Sequence, residues 1–411
     1  MARVAIVGAG AAGTMCAIFA ASAGAETLLI ERTRDGGRKI LISGGGRCNI
    51  LPARVDESRF VTDSPRHLLR HILRSWPLDQ QIAFFERELG LPLIEEPATG
   101  KLFPKSQSAR DVRDKLIAFA RRRGTVFVTE TVVTDLVNDG DGWTLLCQGH
   151  DPISADAVVL ASGGLSVPNT GSDGRGLQIA QRLGHVVHQP YAALTPLTAT
   201  ADAPFAHLSG VSLRVTITSR SNGRTAKASG GFLFTHRGYS GPAVLDVSHV
   251  AVRSLMDAGT PADVTVQWSD RDESAWNAAL QVDRSRTVTA AISSVMPQRV
   301  ADALLSYAHI DPGRKLAQLS RVERSRLITT LVRAPLPWSE HEGYKKAEVT
   351  GGGVSLSEID PRTLETRRHK GLFLCGEMLD AFGPIGGYNF LWAWATGRAA
   401  GIGLARNFRS A

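Results

Sequence analysis

The chain has 411 residues, which at about 150 residues per domain suits two to three domains and a core that closes without disulfides. Hydrophobic residues make up 43% and charged residues 21%, which excludes a disordered or fibrous chain, and 47 Lys and Arg against 39 Asp and Glu leave a net charge of +8, ordinary for solubility. The four cysteines, Cys16, Cys48, Cys147 and Cys375, form no C-x-x-C pair, which excludes a zinc ribbon or a thioredoxin-type dithiol, implies no metal site and suits a reducing, cytoplasmic compartment.

Met1–Val4 runs directly into a strand-like segment, so no signal peptide is expected, and the absence of an apolar run of about 18 large residues predicts no membrane span. Val4-Ala5-Ile6-Val7 reads as a buried parallel strand. Gly8-Ala9-Gly10-Ala11-Ala12-Gly13 follows as G-x-G-x-x-G and opens a small-residue helix reaching about Gly24. A second strand, Thr27–Ile30, ends in Glu31 about twenty residues beyond the glycines. Gly8 permits the tight turn, Gly10 lets backbone approach a pyrophosphate, and Gly13 lets helix and strand pack closely. The helix N-terminus, with Ala11 and Ala12 in its first turn, offers free N–H groups to an anion, and Glu31 suits the ribose hydroxyls. A bare strand–helix turn needs none of this context, so a dinucleotide is the expected ligand.

Three later segments favour FAD over NAD. Asp35-Gly36-Gly37-Arg38-Lys39 suits a loop folded over a longer, doubly charged cofactor, next to Arg32. Asp156–Gly164 is an apolar strand ending in Ser162, Gly163 and Gly164, and resembles the A-T-G strand end of glutathione-reductase-type flavoproteins. Gly371–Glu377 is a further strand ending in Gly376 and Glu377, and in that flavoprotein group such an acid holds the ribityl chain. The turn before the last helix, Gly383–Asn389, brings Gly386 and Gly387 to a helix N-terminus suited to negative charge on a reduced flavin. No second G-x-G-x-x-G occurs, so a separate NAD(P)H domain is not expected.

The block Ser43-Gly44-Gly45-Gly46-Arg47-Cys48-Asn49 resembles the bacterial aminoacetone-oxidase-type FAD-binding flavoproteins. Pro168–Gly174, Phe234–Pro242, Ala347–Val354, Gly376–Asp380 and Gly386–Asn389 resemble further blocks of that family, and Arg32 keeps the positive charge of the Lys more usual there. The resemblance implies a Rossmann-type FAD-binding domain of glutathione-reductase type. It also implies an inserted β-barrel-like domain and a small helical subdomain. The expected boundaries are 1–190 with 340–411 for the discontinuous FAD domain, 191–269 with 336–339 for the β-rich domain, and 270–335 for the helices.

Helices are expected at Pro65–Arg74, Leu78–Leu89 and Ala109–Arg123, and strands at Val126–Val128 and Thr131–Val133, the last placing Val133 among the cofactor-binding candidates. Gly142–Cys147 reads as half of a hairpin. Val211–Ile217 and Val264–Trp268 alternate with period two and suggest antiparallel sheet.

Flavin chemistry asks a protein mainly for orientation and electrostatic tuning, so most site residues should bind rather than react. Ser43, Gly44, Gly45 and Arg47 through Asn49 suit the pyrophosphate and ring, with a structural glycine loop as the plain alternative. Cys48, with no resolving cysteine, reads as a buried small hydrophobe, so the FAD is expected to be non-covalent. Tyr388, Asn389 and His236 are the catalytic candidates, with capping and local hydrogen bonding as their plain alternatives. The short arginine runs Arg121–Arg123 and Arg367–Lys370 lack interleaved aromatics, so nucleic acid is not an expected partner. The expected activity is an FAD-dependent oxidoreductase acting on a small amine or enone at the interface of the FAD domain and the inserted domain, with oxygen or an external donor or acceptor closing the cycle. An RNA-modifying flavoenzyme and a flavin-binding protein without turnover are the alternatives.

Overall fold

A computed structural model describes residues 2–138, 140, 142–283 and 285–409. It divides into two compact units, Met1–Pro190 with Val349–Ala411, and Tyr191–Glu348. Met1 and residues 410–411, at the ends of the expected FAD domain, lie outside the described residues.

The first unit is built on a five-stranded parallel sheet in the spatial order Leu372–Leu374, Ala157–Leu160, Arg3–Val7, Glu26–Ile30, Val126–Val128. Val4 sits in register with Ala157 on one side and Thr27 on the other. Val4–Ile6, Leu28–Ile30, Ala157–Leu160 and Leu372–Leu374 are buried apolar runs, as doubly covered parallel strands require, whereas the edge strand leaves Val126 exposed. Two helices lie close together on it, Ala11–Ser22 and the C-terminal Tyr388–Arg409. Their approach explains two glycines spaced one helical turn apart. A Cβ at Gly397 would lie 2.3 Å from Ala12 O and one at Gly401 2.6 Å from Cys16 O, so only hydrogen fits at either place.

Helices Arg66–Arg74 and Ala109–Arg122 fall where the sequence pattern puts them, the second capped by Ser108 accepting from Asp111 N. The run from Leu78 is α-helical only to Ala83 and then widens into a π turn over Phe84–Glu88. The strand expected at Thr131–Val133 instead starts at Val133 and runs to Asn138, where it pairs with Trp143–Cys147 and adds Ile153–Ala155 as a meander. Thr131 N is instead bonded to Glu31 O at the sheet end, far away in sequence. A small antiparallel sheet, Leu51–Pro52, Lys101–Pro104, Leu93–Glu96, completes the unit.

The second unit carries a seven-stranded sheet running from Ala334–Pro335 through Asp263–Gln267, Ser212–Ser221, Arg224–Thr235, Gly238–Ser240 and Leu197–Thr198 to Glu340–His341. Laid flat, its edges would stand about 29 Å apart at ~4.8 Å per strand. The edge strands are joined by residues 336–339 alone, which reach at most ~18 Å, so the sheet must curl like a barrel. Phe205, Phe232, Phe234, Tyr239 and Trp268 are buried together in the unit's core. Residues 340–348 stay in this unit, not in the first as the sequence reading expected, because Glu340–His341 pairs with Leu197–Thr198. Helices Glu273–Ala279, Val288–Ser293, Gln298–Tyr307 and Arg321–Arg333 fill the helical stretch; Asp272, Thr287 and Ser320 cap three of them. Among the described residues no helix is long and apolar enough to cross a membrane.

Candidate functional site

The amino-terminal turn is built by exclusion. Gly8 N donates to Ile30 O (2.7 Å), and a Cβ at Gly8 would stand 2.6 Å from Ala161 O. A Cβ at Gly13 would lie 1.9 Å from Gly8 O, so the helix can start here only without a side chain. Gly10 differs: its φ is −79°, and an added Cβ would meet nothing within 4 Å. It therefore faces open space beside a helix N-terminus that has no side-chain cap and no acid in its first turn. Four orphan N–H groups of this kind call for an anion.

Glu31, 8% exposed at the end of its strand, stands against this turn. Its Oε2 accepts from Ala9 N (2.9 Å) and its Oε1 from Thr33 N (2.8 Å) and Thr33 Oγ1 (2.7 Å). Arg32 points elsewhere, to Asp173 and Gly171 O, and ties the Pro168–Gly174 loop to the strand end. Burial would raise the Asp173 carboxyl, but the Arg175 N–H and the Arg32 guanidinium hold it below its ordinary value. The Gly36–Gly37 pair lies on the first turn through Gly37 N donating to Ala9 O (2.9 Å), and Arg38 pairs outward with Asp35 (3.0 Å).

Lys39 makes the most consequential contact. Its Nζ donates to Glu377 Oε2 (2.6 Å) and Ser166 Oγ (2.6 Å). Glu377 Oε1 accepts from Ser166 Oγ (2.5 Å) and Thr350 N (2.9 Å), and Thr350 Oγ1 accepts from Leu165 N (2.7 Å) and Ser166 N (3.0 Å). Gly164 is hemmed into the same knot, since its Cβ would fall 2.3 Å from Thr350 Oγ1. Burial pushes the Glu377 carboxyl up, but the Lys39 ammonium and the hydrogen bonds from Ser166 and Thr350 hold it below its ordinary 4.5. A depressed carboxyl contributes stability that is complete above its ordinary value and is lost as pH falls through the folded value. Lys39→Met is accordingly expected to cost about 2 kcal/mol at neutral pH and to flatten the acid limb of the melting-temperature profile below pH 4.5. An unchanged acid limb would contradict the pairing.

The remaining glycine-rich segments converge on the same place. Gly376 and Ala12 touch, a Cβ at Gly376 lying 2.7 Å from Ala12 Cβ, and Ser162 Oγ donates to Met378 Sδ (3.5 Å). The Ser43–Asn49 loop turns through left-handed Gly44, Gly45 and Gly46, the last two facing open space. It reaches the carboxy-terminal turn through Asn49, whose amide accepts from Gly387 N (3.0 Å) and donates to Leu51 O (3.1 Å). Gly387 in turn packs so tightly on Leu51 that a Cβ would sit 2.4 Å from its carbonyl carbon.

Several expected residues take a structural post. Arg47 pairs with Glu96 (3.1 Å) and lies over the Phe103 ring (4.1 Å). Cys48 is buried, and burial pushes its thiol up to about 12 despite a hydrogen bond with Ser43, so it carries no thiolate to attack a flavin. Tyr388 Oη donates to Arg54 O (3.2 Å) and accepts from Asp56 N (3.3 Å). The Asn389 amide locks Gly383 through both its backbone groups, each at 2.9 Å. Val133 is a buried core residue two places beyond Thr131. His236, in the second unit, is exposed at the hairpin between Arg224–Thr235 and Gly238–Ser240. Ser166, Thr350, Asp380 and Lys101 were not among the expected residues. The first three lie in or beside a block the sequence singles out, with hydrogen-bond partners more than a hundred residues away, whereas Lys101 lies in none of those blocks.

The uncapped helix end, the open faces of Gly10, Gly45 and Gly46, and the adjacent buried acid fit a dinucleotide diphosphate and its ribose. Fold and site define an FAD-dependent oxidoreductase with a Rossmann core. The chain belongs to the HI0933-like protein Rossmann domain family, which matches residues 2–403. It is 32% identical over 402 residues to the ribosomal RNA dihydrouridine synthase of Escherichia coli (strain K12), covering 95% of each chain. It is 31% identical over 413 residues to the 3-dehydro-bile acid delta(4,6)-reductase of Clostridium scindens, covering 98% of this chain and 99% of that one. Among solved structures, 3-ketosteroid delta1-dehydrogenase from Sterolibacterium denitrificans has the same fold, with a TM-score of 0.52 at 12% identity over 99% of this chain and all of that one.

Proposed function

We propose that this protein reduces a carbon–carbon double bond conjugated to a carbonyl, with a small enone as substrate. The observation that carries the reading is the likeness, over nearly the whole chain, to a reductase of 3-dehydro bile acids. A second full-length relative is named for dihydrouridine synthesis, and the uracil double bond it would reduce is also conjugated to a carbonyl. The two names share one bond chemistry: hydride to the β-carbon, a proton to the α-carbon, and oxidised cofactor left behind.

When bound, FAD supplies the hydride. The Gly8–Gly13 turn and the helix N-terminus at Ala11 would hold the diphosphate. Glu31 would accept from the ribose. Lys39, Ser166 and Thr350 fix the Glu377 carboxyl, which would hold the ribityl chain, and the Gly386–Gly387 turn would hold the ring. An external two-electron donor must renew the reduced cofactor.

The test is anaerobic. The holoenzyme is reduced with one equivalent of dithionite and mixed with a 3-oxo steroid carrying a Δ4 or Δ4,6 double bond. The visible flavin band is expected to return at least ~100-fold faster than in buffer, with a product two mass units heavier per bond by mass spectrometry. Parallel arms use a uridine-rich transcript and, in air, a small primary amine. Turnover in either arm with no steroid reduction would overturn the reading.

A further inference from the structure

Lys101 opens the middle strand of the small antiparallel sheet, Lys101–Pro104, in register with Pro52 on one side and Glu96 on the other. Residues two apart on a strand share a face, and here Lys101 and Phe103 reach the two glycine-rich segments that converge in the site. Phe103 packs on the Ser43–Asn49 loop, its Cε1 lying 3.2 Å from where a Gly44 Cβ would be. Lys101 runs along the carboxy-terminal turn: a Cβ at Gly386 would lie 3.7 Å from Lys101 Cε and 3.9 Å from its Cγ.

The other cations of these loops are engaged, apart from the exposed Arg34. Arg32 is held by Asp173, Arg38 by Asp35, Lys39 by Glu377 and Arg47 by Glu96. Among the described residues no side-chain hydrogen bond or ion pair engages the Lys101 ammonium, although its charge helps lower the Glu96 carboxyl across the ladder. A half-buried cation without a partner, laid against the turn that precedes the last helix, has an evident use for a charge that comes and goes.

We propose that Lys101 is an electrostatic residue of the flavin site, stabilising the negative charge that reduction places on the ring. A hydride brings two electrons and one proton, so the ring gains one net negative charge, and a fixed cation nearby favours that form over the oxidised one. The assignment rests on FAD lying along the Gly386–Gly387 turn.

The experiment compares the midpoint potential of bound FAD in wild type, Lys101→Met and Lys101→Arg, by anaerobic reduction against a reference dye. Lys101→Met is expected to lose about tenfold of the preference for reduced over oxidised flavin, a fall of ~30 mV for a two-electron couple. It should also bind sulfite more weakly at the oxidised flavin, while Lys101→Arg stays near wild type in both. An unchanged potential in flavin-loaded Lys101→Met would overturn the proposal. So would loss of FAD from Lys101→Met with retention in Lys101→Arg, which makes the charge a binding contact, and so would loss from both, which makes the side chain a packing element. A wild type that reduces no enone, yet whose potential falls in Lys101→Met, would sink the proposed substrate and leave this assignment standing.

Discussion

Gly10→Val is expected to give a folded but colourless protein. Gly10 has a φ of −79°, which any L-residue adopts, and an added Cβ would touch no protein atom within 4 Å. The valine therefore costs the fold almost nothing and fills the volume a diphosphate would occupy against the helix end. FAD affinity should fall at least ~100-fold, about 2.7 kcal/mol, read from flavin content after gel filtration and from titration of the apoprotein. Three residues on, the same class of change has the opposite signature. A Cβ at Gly13 would lie 1.9 Å from Gly8 O, a backbone atom that cannot move without breaking the strand–helix turn. Gly13→Ala should destabilise the fold by about 3 kcal/mol, whatever the cofactor content. Flavin retained by Gly10→Val, or a melting temperature unchanged in Gly13→Ala, would mean that the turn has been misassigned.

The second large effect is expected at Asp380, which is 2% exposed. One oxygen, Oδ2, accepts from Asp63 N (2.9 Å), Ser64 N (2.8 Å), Ser64 Oγ (2.7 Å) and Thr62 Oγ1 (3.0 Å). His188 Nε2 lies a further step away at 3.7 Å. The residue thus ties the loop before helix Arg66–Arg74 to the strand end that carries Gly376 and Glu377. Asp380→Ala leaves buried donors without an acceptor, and the expected cost is about 4 kcal/mol. For a unit of this size that is a fall of about 10 °C in melting temperature, followed by tryptophan fluorescence and flavin release together. Asp380→Asn keeps one acceptor oxygen and should cost about half as much, ~2 kcal/mol. Equal melting temperatures for all three proteins would show that the loop is held by something else.

These two residues mark how far reading along the chain can go. The turn at Gly10 was legible because it is local: strand, glycines, helix and Glu31 all fall within one strand–helix–strand unit, and period and spacing carry that information. Asp380 was visible only as part of a block, since its donors lie more than three hundred residues earlier. Thr131 looked like a strand residue by its own propensity and was claimed instead by Glu31 O at the sheet end. Residues 340–348 read as part of the returning chain, yet strand pairing with Leu197–Thr198 kept them in the second unit. Tyr388 and Asn389, attractive for chemistry by type and position, turned out to have their polar groups spent on Arg54, Asp56 and Gly383.

The cofactor class, the parallel sheet and the glycine turn that opens the first helix could be read along the chain, because each depends on neighbours a few residues apart and on which backbone angles a residue without a side chain can take. Which charges are paired was settled by folding. Lys39 lies in the short helix Arg38–Ile42 and Lys101 opens the strand Lys101–Pro104, and nothing local says which of the two lysines will be paired. Folding brings Glu377 to one and the bare turn at Gly386 to the other, since an ion pair is fixed by distance in space and the chain records only distance along itself.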